Sequence, residues 1–302
     1  KARYMPYLYL KIKKSEFENA RQINIGGFMK TMLVKRLESS FHAFRLTIKR
    51  FIKSHEDFIG MYNSGSVLIS KRINVYELMD EDDEEKITKL IEKGDVEKFK
   101  STDFNENFKE DLDNDLQSLK MIEDLWKDVK LDPKLEKFKK ELKNDQQLKN
   151  QKIIVFTESK ETGEYLLQNL SNIYGEKVFF YSSSGGSFFS KNDLKKLSIK
   201  DSRDYIKKNF DPNQKAENQL DDLNILISTD ILAEGINLHR SNIEINYDLP
   251  WNPTRVIQRT GRVNRVGSSF EKVHIYNFFP TKESDSEIGQ KKNIITKIQA
   301  IH

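Results

Sequence analysis

Arginine recurs at close spacing in the run Gln258-Arg259-Thr260-Gly261-Arg262-Val263-Asn264-Arg265. A guanidinium stays charged and offers forked donors that match phosphate oxygens. Arginines held rigidly in this way suit the charge that develops during phosphoryl transfer. Arg262 and Arg265 are three positions apart, so on a helix they share one face. A basic surface helix would carry the same residues. Upstream, Ile225-Leu226-Ile227 runs into Ser228-Thr229-Asp230 and on to Glu234-Gly235-Ile236-Asn237-Leu238. Hydroxyls at a strand end can hold phosphate, whereas Gly235 could simply end a helical turn. Lys152 to Glu158 offers a further strand-end hydroxyl, Thr157, which also fits a helix cap. The small residues Ser182 to Gly186 permit close backbone approach or form a flexible loop.

The elements that must position these residues follow from Gln151 onward. Short apolar runs at 153–156, 178–181 and 224–227, with further runs at 243–247 and 273–278, read as strands. Helical stretches at 161–170 and 202–210 separate them. Strands alternating with helices predict an α/β fold, a parallel sheet covered by helices on both faces. Ligands bind such sheets at the carboxyl ends of the strands, where the candidate runs all fall.

The remainder of the chain divides by composition. Residues 1–59 read as a basic helical segment in which Phe41, Phe44, Ile48 and Phe51 recur at helical spacing. Residues 60–132 read as a charged helical insertion. It contains the acidic run Asp80 to Glu85 and a stripe of Leu112, Leu116, Leu119, Trp126 and Val129. Residues 133–302 form the α/β lobe, opened by a helix with Asp132 as cap, Pro133 in its first turn and Leu135, Phe138 and Leu142 on its buried face. A 302-residue chain accommodates about two domains at ~150 residues each. There is no apolar run of membrane-spanning length, which argues against a membrane partner. Cysteine is absent and the five histidines show no ligand spacing, so no metal site is expected. A net charge of +4 permits nucleic-acid binding without implying it. A chain opening on Lys1 reads as a piece of a longer one.

Together, the 225–238 and 258–265 runs resemble motifs V and VI of superfamily 2 helicases and translocases. Glu-Gly-Ile-Asn-Leu at 234–238 and Asp-Leu-Pro-Trp-Asn-Pro at 248–253 point to the SNF2-like branch, bacterial type. The segment Lys35 to Ser40, continuing into Ala43-Phe44-Arg45, resembles the entry to the second lobe of these proteins, and 152–158 resembles motif IV. The resemblance implies a RecA-like C-terminal helicase lobe. Arg262 and Arg265 become arginine fingers on ATP. Glu234, Gly235, Asn237, Gln258 and Arg259 would face or couple to the nucleotide. Thr157, Ser183, Gly186, Ser228 and Thr229 would contact nucleic acid, with duplex DNA as the expected track. The resemblance also implies ATP with Mg2+, the magnesium ligands lying on a first RecA-like lobe not present in this sequence, and a bacterial cytoplasmic location.

Two other readings use the same residues. One is a non-catalytic RecA-like nucleic-acid-binding or docking module. The other is a DEAD-box-like RNA helicase, against which Gln258 counts, since that group usually carries histidine there. Two decoys are set aside. Gly26-Gly27-Phe28-Met29-Lys30-Thr31 lacks a phosphate loop's second glycine and preceding strand, and Asp80-Glu81 has no phosphate loop upstream.

Overall fold

A computed structural model describes residues 1–70, 96–233, 236–252, 254–265 and 268–288. The acidic run at 80–85, Glu234 and Gly235 lie outside the described residues. The chain forms two compact units, Lys1–Leu37 with Ala43–Leu131, and Glu38–His42 with Asp132–His302. Residues on either side of position 60 therefore share the first unit.

In the first unit, helices α1 (Glu16–Ser39) and α2 (Phe41–Asn63) lead to an antiparallel pair, β1 (Ser66–Ser70) and β2 (Val96–Lys100). Helix α3 (Asn107–Trp126) follows. Helix α2 buries Phe44, Ile48 and Phe51, the stripe legible in the sequence. The core is rich in rings: Phe108 is in contact with Tyr9, Phe58, Tyr62 and Phe104.

The second unit opens with helix α4 (Pro133–Asn144). Asp132 caps it by accepting from the amides of Lys134 and Leu135, at 3.1 and 3.2 Å. The strands are β3 (Ile153–Phe156), β4 (Val178–Ser182), β5 (Gly185–Ser190), β6 (Asp193–Leu197), β7 (Ile225–Ser228), β8 (Ile243–Asn246) and β9 (His274–Asn277). They form one sheet in the order β6-β5-β4-β7-β3-β8-β9. Five strands, β4 to β9 in that order, are parallel, and β5 and β6 extend one edge antiparallel. The parallel sheet expected from the sequence is present, and the antiparallel β5 and β6 extend it at one edge. Its central strands are apolar and buried because helices cover both faces. Alternate residues serve the two sides. Ile153 and Val155 join Leu166 and Leu170 of α5 (Lys160–Tyr174). Ile154 and Phe156 join Ile206 and Phe210 of α6 (Ile199–Phe210) and Val263 of α7 (Thr254–Val263). This is a RecA-like lobe. A short α8 (Lys282–Ile288) follows β9.

Two local expectations change. The 182–186 stretch is a tight hairpin: Ser182 pairs with Gly185 and Tyr181 with Gly186, leaving Ser183 and Ser184 as the turn. Gly185 takes φ +105°, and a Cβ on it would meet the Leu197 carbonyl oxygen at 2.4 Å. The second change concerns the two arginines. Helix α7 ends at Val263, so Arg262 lies in its last turn and Arg265 beyond it. They do not share a helical face.

Candidate functional site: the carboxyl edge of the sheet

The loops after β7 and β8 meet α7 at the carboxyl edge. Arg259 projects from α7 into the protein and is fully buried. Its Nε donates to Asp230 Oδ1 at 2.6 Å and its Nη2 to Glu158 Oε1 at 2.5 Å. Nη1 donates to Asn246 Oδ1 at 2.7 Å and to the Asp248 carbonyl at 3.1 Å. The guanidinium carbon stands 5.0 Å from the Phe156 ring centroid. Every nitrogen is engaged within the fold, so the side chain has no donor directed at a ligand. The sequence placed Arg259 at the nucleotide; here it is the centre of a buried ion cluster that joins β3, β7, β8 and α7. Arg255 Nη1 adds a bond of 2.7 Å to Asp230 Oδ2. Burial opposes ionisation of Asp230, yet Arg259 and Arg255 hold its carboxyl below the ordinary value.

Glu244 is the third carboxylate of this cluster and carries no balancing cation of its own. Burial pushes its carboxyl up to about 7, against the opposing pull of Asn246 and Arg259. One oxygen accepts from Asn246 Nδ2 at 2.8 Å and the other, Oε2, is buried without a hydrogen-bond partner. The signal for this cluster was present in the sequence. The Ile-Glu-Ile-Asn alternation of β8 puts two polar side chains on one face of a buried strand, which requires a polar partner beneath them.

Asp248 anchors a second buried network. Its Oδ2 accepts from Thr157 Oγ1 at 2.5 Å, Ser39 Oγ at 2.7 Å and the Glu158 amide at 3.2 Å. Lys134 Nζ donates to its Oδ1 at 2.8 Å. Burial disfavours the charged carboxyl, but Lys134 and the Thr157 and Ser39 hydroxyls keep it below the usual carboxylate range. Ser39 and Ser40 also bond Thr162 Oγ1, at 2.6 and 2.9 Å. Residues 38–42 are in this way fastened to the lobe. Asp248 and Thr162 were not among the expected functional residues.

The expected nucleic-acid contacts separate by exposure. Thr157 is buried on Asp248, and the cap of α5 is Ser159, whose Oγ accepts from the Thr162 amide. Ser228 is buried and donates to the carbonyls of Tyr181 and Thr229, at 3.1 and 2.8 Å. Thr229 is buried with its Oγ1 unpartnered. Gly186 is buried, and a Cβ there would lie 2.3 Å from the Phe179 ring, so internal packing already requires a glycine. Ser183, on the hairpin turn, remains partly exposed.

Of the residues expected at the nucleotide, Asn237, Gln258, Arg262 and Arg265 form a partly to fully exposed ledge. Arg265 Nη1 donates to Asn237 Oδ1, and its Nε donates to the Gly261 carbonyl at 3.2 Å. The Leu238 amide donates to the Arg262 carbonyl at 3.1 Å, clamping the loop after β7 to the end of α7. Gln258 is exposed on α7. Arg265 is exposed, and its partners among the described residues are neutral oxygens. Arg259 has its charge matched internally, whereas the charge of Arg265 is available to an anion. Among the described residues no group of histidine and carboxylate side chains is placed to hold a metal ion, and no helix is long and apolar enough to cross a membrane.

Residues 133–267 match the family described as helicase conserved C-terminal domain. The matched residues all lie within the second unit. Bacillus subtilis YqhH, described as an uncharacterized ATP-dependent helicase, is 42% identical over 93 residues, covering 26% of this chain and 16% of that protein. The Schizosaccharomyces pombe ATP-dependent RNA helicase uap56 is 37% identical over 70 residues, 23% of this chain and 15% of that protein. The chain thus spans less than a fifth of the length of either relative. Among solved structures, the C-terminal part of the Fun30 ATPase domain aligns at 24% identity, covering 61% of this chain and 57% of that one, with a TM-score of 0.38.

Proposed function

We propose that the chain supplies the second lobe of an ATP-dependent, SNF2-like translocase of bacterial type, working in the cytoplasm on nucleic acid, with duplex DNA as its track. The observation that carries this reading is the exposed Arg265 beside Asn237, at the carboxyl edge where open α/β sheets bind ligands. Arg265 and Arg262 are the arginine fingers, Gln258 and Asn237 lie on the same edge, and Glu234 and Gly235 are assigned to the nucleotide by the resemblance of their run alone. ATP, when bound, brings the phosphoryl group to be transferred. The phosphate loop and magnesium ligands belong to a first RecA-like lobe. The role of this edge is to place guanidinium charge where negative charge grows. Ser183 and the backbone around Thr157, Gly186, Ser228 and Thr229 serve as the nucleic-acid side.

The test is nucleic-acid-stimulated ATP hydrolysis by the full-length protein carrying Arg262→Lys or Arg265→Lys. Lysine retains charge but loses the planar fork, and a fall of ~10³-fold in kcat is expected. Melting temperature should hold. Near-normal kcat with a normal melt would leave the docking-module reading in place. A second reading, RNA as the track, draws support from the RNA helicases among the relatives. Stimulation by RNA but not by duplex DNA would select it.

A further inference from the structure

The amino end of the same sheet carries a hollow of about 830 Å³ that meets the helicase-like runs only at the first strand residues, Ile153 and Ile225. Its placement is fixed by Ile153 and Ile225, the first residues of β3 and β7, and by Lys177, which immediately precedes β4. It therefore lies opposite the Asn237–Arg265 ledge. Its floor is apolar: Leu142, Leu148 and Ile153 are buried at 3%, 2% and 2% exposure. Ile173 lines it while 55% exposed, an unusual position for an isoleucine ringed by cations.

The rim is basic. Lys140, Lys143, Lys149 and Lys177 all line the hollow and all are exposed. None of the four forms an ion pair among the described residues. The one carboxylate in the lining, Glu136, is already paired with Lys139 at 3.0 Å. Lys140, Lys143 and Lys149, with Lys177 shared at longer range with Asp221, set positive charge around an apolar floor, which calls for a ligand that is anionic outside and apolar at its centre.

We propose that this hollow is a docking site for an acidic peptide segment of a partner protein, with an apolar anchor on the floor and flanking carboxylates on the lysine rim. Charge complementarity selects the acidic partner, and the floor selects a peptide over nucleic acid. Single-stranded nucleic acid is held by stacking on exposed flat rings, but the lining here is aliphatic apart from Tyr174, whose ring packs into the core. The cations are lysines, without the planar fork that grips phosphate in two places.

The experiment is fluorescence anisotropy with this 302-residue chain. The probe is a fluorescein-labelled peptide bearing a central Phe-Leu pair flanked on both sides by glutamates. A control peptide replaces Phe-Leu with Ser-Ser. Competitors are an unlabelled DNA duplex and an unlabelled single strand. The variants are Lys143→Glu/Lys149→Glu and Ile173→Ser, all at exposed positions, with near-UV circular dichroism to verify the fold. The double charge reversal should weaken the Phe-Leu peptide at least about tenfold, as like charges now face each other. Ile173→Ser and the Ser-Ser control should each weaken binding, and neither oligonucleotide should displace the peptide. The proposal is overturned if the peptide does not bind, or binds the charge-reversed variant equally. It is also overturned if the Ser-Ser control binds as well, which would make the rim a solvated lysine cluster. Displacement by an oligonucleotide that is itself weakened by the charge reversal would assign the hollow to nucleic acid instead.

Discussion

Arg259 and Arg265 come from one short run, yet they sit in opposite environments. Arg259 is locked between Asp230 and Glu158 with no exposure, while Arg265 reaches solvent on neutral partners. Removing the fork from a buried ion cluster leaves carboxylates unpaired, which costs about 3–5 kcal/mol. Arg259→Lys should therefore lower the melting temperature of the lobe strongly, with Arg265→Lys leaving it nearly unchanged. Equal melting temperatures for the two variants would remove Arg259 from its structural role. Glu244 supplies a pH signature at the same scale. Its folded carboxyl is raised from 4.5 to about 7, mainly by burial. The folded lobe then binds a proton that the unfolded chain releases, so this contribution is full below pH 4.5 and is lost as pH rises through 7. The difference amounts to about 3 kcal/mol across the window. Glu244→Gln fixes the neutral form, so its stability should fall less than that of the parent between these pH values. Denaturant melts at several pH values test this, and parallel curves would contradict it.

At the scale of elements, the β4–β5 hairpin is the clearest case of packing and site sharing one residue. Gly186 sits against the Phe179 ring and Ser202 Oγ, where an added Cβ would stand at 2.3 and 2.6 Å. Gly186→Ala should destabilise the lobe by about 1–3 kcal/mol through overpacking. A thermal melt distinguishes this from a surface role, in which nucleic-acid affinity falls while stability stays constant. The Asp248 network works between elements in a similar way. It collects Ser39 from the end of α1, Lys134 from α4 and Thr157 from the end of β3 on one buried carboxylate. Removing one partner of such a set leaves buried charge behind, so Asp248→Ala should destabilise the lobe by about 3–5 kcal/mol in denaturant melts. A change within experimental error would show that the network relaxes onto water.

For the whole molecule, the sheet presents two ends with different chemistry. The carboxyl end carries the ledge of Asn237, Arg262 and Arg265, and the amino end carries the lysine-rimmed hollow. The sequence of this chain contains no phosphate loop preceded by a strand, so ATP hydrolysis by the chain alone should not exceed background. Hydrolysis above background that Arg262→Ala abolishes would overturn this. Nucleic acid should bind weakly, without sequence preference, and less tightly as salt increases, because phosphate contacts release counterions. Salt-independent binding would contradict that expectation.

Read alone, the sequence specified the five parallel strands of the lobe, the capped helix at Pro133 and the two runs that meet at the carboxyl edge. These are local matters: apolar runs of strand length, a cap residue and loops that follow strands carry their meaning in a few adjacent residues. Tertiary structure alone decided which polar side chain each hydroxyl and guanidinium would meet. Thr157 lies next to Ser159 in the chain but serves Asp248, and Ser159 becomes the cap. Arg259 and Arg265 share one motif, but the turn of α7 directs Arg259 toward Asp230 and Glu158, and the end of the helix at Val263 leaves Arg265 at the surface. The antiparallel β5 and β6 escaped notice because the Gly and Ser of β5 and the exposed, charged Asp-Leu-Lys-Lys-Leu of β6 form strands only when a neighbour accepts their backbone. Burial and pairing depend on residues distant in sequence, and no local pattern of types and spacings contains them.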